Sequence, residues 1–178
     1  MAGTWVGELA QQHLDAAYNL GRWLLGNEQD AADAVHDAYL RATRSAHTYA
    51  GGNARAWWLT IVRNCCLAKL SSRRRETQLQ SVDAASAGAA LPRSADNEVE
   101  DHAHKAQCGA LIAEHLRALP VEFREALVLR ELEDMSYRDI ADVLQVRIGT
   151  VMSRLSRGRA LLQRSLAGAP AEEKPYGL

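Results

Sequence analysis

The 178-residue chain is poor in the residues that announce covalent or metal chemistry. Its three cysteines, Cys65, Cys66 and Cys108, are an odd set with no CxxC spacing. That excludes a disulfide framework and offers no zinc site. Neighbouring cysteines on a helix read as small buried hydrophobes. His102, His104, Cys108 and His115 fall within one segment, with His104 and Cys108 at i, i+4. A second pair at ligand spacing is missing, so neither a metal nor another cofactor is expected. The sequence shows no nucleophile–base pair, carboxylate pair or phosphate loop, which argues against an enzyme. No apolar run approaches the roughly 20 residues of a membrane span. The opening stretch MAGTWVGELAQQ carries an acid rather than bases and has no apolar run, so it does not read as a signal peptide. A reduced, cytoplasmic protein without membrane insertion is the expectation. Excess charge is also absent: 21 Lys and Arg oppose 22 Asp and Glu, a net charge of −1. That balance excludes indiscriminate adhesion to nucleic acid.

What is present is charge sorted along the chain. Residues 26–37 hold four acids and no Lys or Arg, whereas residues 55–75 hold six bases and no acid. Residues 146–166 hold five arginines and no acid. A chain sorted this way calls for partners of both signs. Residues 136–166 carry the strongest pattern, a helix-turn-helix. Ser136 and Asp139 form a capping pattern, and Ile140, Ala141 and Leu144 supply an apolar stripe. Residues 145–148 leave room only for a turn. A second helix follows with an inner stripe of Val151, Leu155, Gly158 and Leu162, and Gly158 permits close approach of a neighbour. Its other faces carry Thr150, Met152, Ser153, Arg154, Ser156, Arg157 and Arg159, preceded by Arg147. Small polar residues at a helix start followed by arginines suit a major groove and its flanking phosphates. A solvated cationic helix is the bland alternative.

Upstream, residues 4–25 read as one or two amphipathic helices with Trp5, Leu9, Leu14, Ala17, Tyr18 and Leu24 inward. A third helix beginning at Asp30 has Val35, Ala38, Tyr39 and Ala42 inward. Asp30, Asp33, His36, Asp37, Arg41 and Arg44 point outward, and this charge order also complements the helix dipole. Residues 45–53 form a loop with Tyr49 and Gly51-Gly52. The next helix buries Trp58, Ile61, Val62 and Cys65 and sets Thr60, Arg63 and Asn64 in a narrow polar stripe beside Trp57. Rings, an amide and a guanidinium around a loop suit captured single-stranded bases, though Trp57 could equally be core. Residues 76–97 lack periodicity and read as a flexible linker. Helical patterns resume over residues 98–118 and 120–132, the latter with Val121, Phe123, Leu127, Val128 and Leu132 inward. The organisation expected is all-α: a domain over 1–75, a linker over 76–97, a helix-turn-helix domain over 98–167 and a loose tail over 168–178.

Three segments in order resemble the extracytoplasmic-function sigma factors of the sigma-70 family. DAADAVHDAYLRA is similar to that family's DAEDVVQEAFLRA, RAWWLTIVRN to FRAWLYRIARN, and LPVEFREALVLRELE to LPxxxREVLxLRxLE, with DMSYRDIADVL…GTVMSRLSRGRALL beyond it. Ala32 stands where a glutamate is common, Leu59 and Thr60 where Tyr and Arg are common, and Arg147 where proline is common. The resemblance implies docking of Asp30, Asp33, His36, Asp37 and Arg41 on the clamp helices of the RNA polymerase β′ subunit. It implies recognition and melting of the promoter −10 element by Tyr49, Asn53, Trp57, Thr60, Arg63 and Asn64. It implies reading of the −35 element by Arg147, Thr150, Met152, Ser153, Arg154, Ser156, Arg157 and Arg159. The implied partners are core RNA polymerase, through its β′ clamp helices and β flap, promoter DNA and an anti-sigma factor. The alternative is a stand-alone helix-turn-helix regulator whose first helices dimerise or sense a signal.

Overall fold

The computed structural model describes residues 2–80 and 100–168, and every regular element among them is helical. The expected linker beyond Gln80, the tail from residue 169, and the side chains of His102, His104 and Cys108 lie outside the described residues.

The N-terminal half comprises α1 (Ala2–Gln12), α2 (Leu14–Leu25), α3 (Glu28–Ser45) and α4 (Ala54–Gln80). The break between α1 and α2 falls at His13, so the two-helix reading holds. Asn27 caps α3 by accepting from the Asp30 amide at 2.8 Å, and a 3₁₀ turn, Ala46–Thr48, ends the helix. The core is Val6, Leu20, Leu24, Val35, Trp58, Leu59 and Val62, with Cys65 and Cys66 buried among them. Each fully buried aliphatic side chain contributes roughly 1.5–3 kcal/mol relative to exposure. The inner face of α3 is narrower than its periodicity suggests. Ala31, Ala34, Val35, Ala38 and Ala42 are buried, whereas Tyr39 is 36% exposed. Small side chains let α3 lie close on α2, which leaves a large ring at the margin of the contact. Leu14, expected inside, begins α2 and is 49% exposed. Helix α4 passes through the basic residues 71–75 and the expected boundary at Glu76 to reach Gln80.

The C-terminal half comprises α5 (Glu100–Ala118), α6 (Val121–Leu127), α7 (Tyr137–Leu144) and α8 (Ile148–Ala167). After α6 the backbone widens into a π turn, Val128–Leu132. Leu132, the last residue of that turn, is 49% exposed rather than buried. Ser136 caps α7, its Oγ accepting from the Asp139 amide at 3.1 Å. Gln145 ends α7 in the left-handed region at φ 55°, which turns the chain sharply into α8. Val151, Leu155 and Gly158 are buried on α8 as their spacing predicts. A Cβ at Gly158 would stand 3.1 Å from Leu127 Cδ1 and 3.3 Å from Phe123 Cβ, a tight fit that a larger residue would enter only if α6 gave way by a few tenths of an ångström.

Candidate nucleic-acid interface

The N-terminal half folds four expected site residues into one cleft. Asn53 caps α4, its Oδ1 accepting from the Ala56 amide at 3.0 Å. The preceding loop bends through Gly51 and Gly52 at φ 92° and 97°, where a side chain would be strained. Tyr49 ties the bend by donating its hydroxyl to the Gly52 carbonyl at 2.7 Å. The resulting cleft, about 510 Å³, is lined by Asn53, Trp57, Thr60 and Asn64 together with Ser45, Thr48 and the two glycines. Trp57 is half-buried and packs with Trp5 and Tyr49, ring centroids 5.2–5.6 Å apart. An aromatic wall, two amides and a glycine floor can take a flat heterocycle and address its edge.

The sixth residue of this set, Arg63, points elsewhere. Its Nε and Nη2 donate to the two carboxylate oxygens of Glu125 at 2.7 and 2.9 Å. Glu125 is 1% exposed, and its Oε1 also accepts from Arg154 Nη1 at 3.0 Å. Arg154 is therefore not on the outward face of α8 in this structure. One buried carboxylate holds an arginine from each of two expected DNA surfaces, because a lone carboxylate at that depth requires charged donors.

The rest of α8 is outward. Arg147, Met152, Ser153, Ser156 and Arg157 are exposed, and Thr150 is half-buried at the helix start. Arg147 and Arg157 form no ion pair among the described residues, whereas Arg159 pairs with Glu131 at 2.6 Å and is held charged by that carboxylate. Exposed Ile148 and Met152 lie one turn apart beside them and supply apolar contact of the kind a thymine methyl accepts.

On α3, Asp33, His36, Asp37 and Arg41 are exposed. Asp30 and Asp33 are not free: Lys69 pairs with them at 3.3 and 3.1 Å, Arg73 also pairs with Asp30, and these contacts fasten α3 to α4. Beside His36 lies an apolar groove of about 610 Å³ lined by Leu14, Val35, Tyr39 and Trp58 among others. The misplaced Leu14 and Tyr39 thus border an open groove.

Sequence reasoning missed the pairing of the two halves, although Asn53, one of the residues that join them, was an expected site residue. Asn53 Nδ2 donates to Asp139 Oδ1 at 2.7 Å, and Arg55 Nη2 to Glu133 Oε2 at 2.8 Å. Asp142 and Gln145 of α7 form one side of the base-sized cleft. Arg124 Nη1 donates to the Trp23 carbonyl at 3.0 Å, and Arg117 lies 5.3 Å from the Trp23 ring centroid. Hydrogen bonds from Ser136, then from Asn53, hold the Asp139 carboxyl below its usual range. One local signal existed for Glu125. It stands four residues from both Val121 and Leu129, an acid on an apolar stripe.

The family Sigma-70 region 2 matches residues 9–76, and Sigma-70, region 4 matches residues 110–162. The ECF RNA polymerase sigma factor SigM of Mycobacterium tuberculosis is 34% identical over 160 residues, 89% of this chain and 76% of SigM. The ECF RNA polymerase sigma factor SigE of Mycolicibacterium smegmatis is 35% identical over 93% of this chain, which spans 63% of that longer protein. Among solved structures, the sigma factor RpoE in complex with the anti-sigma factor NepR from Bartonella quintana superposes with a TM-score of 0.68. It is 26% identical and covers 92% of this chain and 98% of RpoE. The chain belongs to the extracytoplasmic-function sigma factors of the sigma-70 family.

Proposed function

We propose that this chain is a promoter-specificity subunit that brings core RNA polymerase to its promoters in the bacterial cytoplasm. The acidic and basic outer face of α3 docks on the β′ clamp helices, through Asp33, His36, Asp37 and Arg41. The α4 cleft accepts a base extracted from the −10 element. Asn53 and Asn64 address its edge and Trp57 stacks on it, offsetting an extraction cost of a few kcal/mol. Helix α8 reads the −35 element with Thr150, Met152, Ser153, Ser156 and Arg157, while Arg147 and Arg159 flank it at phosphates. Region 4 also meets the β flap. Polymerase carries out the chemistry, so the subunit needs no catalytic group.

The observation that supports this reading is the pair of unlike surfaces on one chain: a ring-walled cleft on α4 and an arginine-serine face on α8. Two weak readings, tethered to one enzyme, become one selective reading through effective concentration. An anti-sigma partner is part of the proposal, on the precedent of RpoE with NepR.

Run-off transcription with core polymerase and a cognate promoter tests it. Arg157→Ala should lower specific transcription by about 1–3 kcal/mol of base contact and leave polymerase association intact. Asp33→Ala with Asp37→Ala should weaken co-purification with core polymerase. Unchanged transcription removes the α8 assignment, and undiminished pull-down removes the α3 assignment. Tight duplex binding by the purified chain without polymerase would favour a stand-alone regulator instead.

A further inference from the structure

We infer that α8 selects its duplex chiefly by the methyl groups of thymines, through Ile148 and Met152, with Arg157 adding a guanine contact. This inference rests on the reading of α8 as the −35 helix and names what that helix recognises. Ile148 and Met152 are 50% and 54% exposed, and their spacing sets them one turn apart on the same face of α8. A single exposed apolar side chain is ordinary. These two adjoin at the start of a helix, in a stretch, residues 146–166, that holds five arginines and no acid. Arg147 before them and Arg157 beyond them are exposed and form no ion pair among the described residues. A surface of that charge complements phosphates, which commits the apolar pair between the arginines to a nucleic-acid duplex.

Hydrogen-bonding readers are scarce on the same surface. Purines in a major groove are read by paired groups from Arg, Lys, Asn or Gln. From Gly149 to Arg157 the exposed side chains are Met152, Ser153, Ser156 and Arg157, with Thr150 half-buried. Ser153 gives its hydroxyl proton to the Thr150 carbonyl at 3.0 Å, and Arg154 is held by Glu125 at 3.0 Å. Arg157 is therefore the one side chain in this stretch with a free pair of donors for a base. Gly149 is an independent sign. A Cβ there would meet nothing within 4 Å, so packing does not call for glycine. A bare position beside Ile148 lets the start of α8 sit close to base edges. At that range an apolar side chain distinguishes thymine from the other bases by its C5-methyl group.

The test uses holoenzyme assembled from the full chain and core polymerase. Promoter duplexes randomised over the −35 positions are selected by binding. The selected duplex is then remade with deoxyuridine for thymine, which removes the methyl group alone. Thymine should be enriched, and deoxyuridine at one or more of the enriched positions should weaken binding about fourfold, the effect of one buried methyl group. Ile148→Ala with Met152→Ala should bind the thymine and deoxyuridine duplexes equally. Met152→Gln keeps the side-chain length and gains an amide, so the selected base should shift toward adenine. Both residues are exposed, so these variants leave the core intact. Sensitivity to deoxyuridine that persists undiminished in the double variant overturns the inference, as does its absence in the unsubstituted chain. A double variant that binds core polymerase less well without DNA assigns the pair to a protein surface and overturns it too. A selected −35 sequence without thymine overturns the inference alone. Selection that yields no −35 preference at all overturns the reading of α8 on which it rests.

Discussion

Glu125 and Gly158 show how much one position decides here. Glu125 sits among Ala126, Leu127, Val128 and Leu129, all buried, and two guanidinium groups neutralise it there. Such a pair adds little net stability, yet removing the acid would leave charges without a partner at a cost of about 3–5 kcal/mol. Its role is therefore to specify which surfaces meet. Gly158 decides a distance. Its hydrogen faces the Leu127 side chain, which can adjust, and the Cβ of Phe123, which α6 fixes. Gly158→Val forces branched carbons into that gap, and overpacking of a tight core costs typically about 1–3 kcal/mol. Urea unfolding should show a lower midpoint with an unchanged slope. A midpoint equal to that of the unsubstituted chain would mean that α8 does not cross α6 this closely.

At the scale of the element, the helix-turn-helix was legible because its signals are local. Ser136 three residues before Asp139, and the four-three-four spacing of Val151, Leu155, Gly158 and Leu162, are written within one or two turns. The cleft was legible in part: Asn53, Trp57, Thr60 and Asn64 converge as the loop and stripe imply, but Arg63 does not. Its partner lies 62 residues away, and periodicity carries no information at that range. Tyr39 departs from its expected burial because alanine-lined packing narrows the inner face of α3, and Leu132 because it is the last residue before the helix ends. The cap of α7 yields a pH prediction. Asp139 titrates below its usual range through hydrogen bonds from Ser136 and then Asn53. A depressed acid stabilises the folded state above its unfolded pKa of about 3.9, and that contribution disappears as pH falls through the lower folded value. Ser136→Ala should move the Asp139 titration upward, followed by carbon-detected NMR, and cost roughly 0.5–2 kcal/mol as a lost cap. An unmoved titration would assign the depression to Asn53 alone.

Across the whole molecule, the near-neutral net charge hides a division of labour. Arg55 and Arg63 of α4 face Glu133 and Glu125 of the C-terminal half, so part of the chain's charge is cancelled internally, while Arg73, Arg74 and Arg75 toward the end of α4 stay exposed. Contact between the halves draws on tethering as well as on these pairs, because two parts of one chain meet at an effective concentration set by the link between them. Cutting the chain between the two halves separates those contributions. A protease site introduced among residues 81–99 should, once cleaved at micromolar protein, let the halves part on size exclusion. Promoter-directed transcription should fall at the same time, because a −10 reader and a −35 reader no longer arrive as one body. Halves that co-elute would show that Arg63–Glu125, Arg55–Glu133 and Asn53–Asp139 hold the two together without help from the tether.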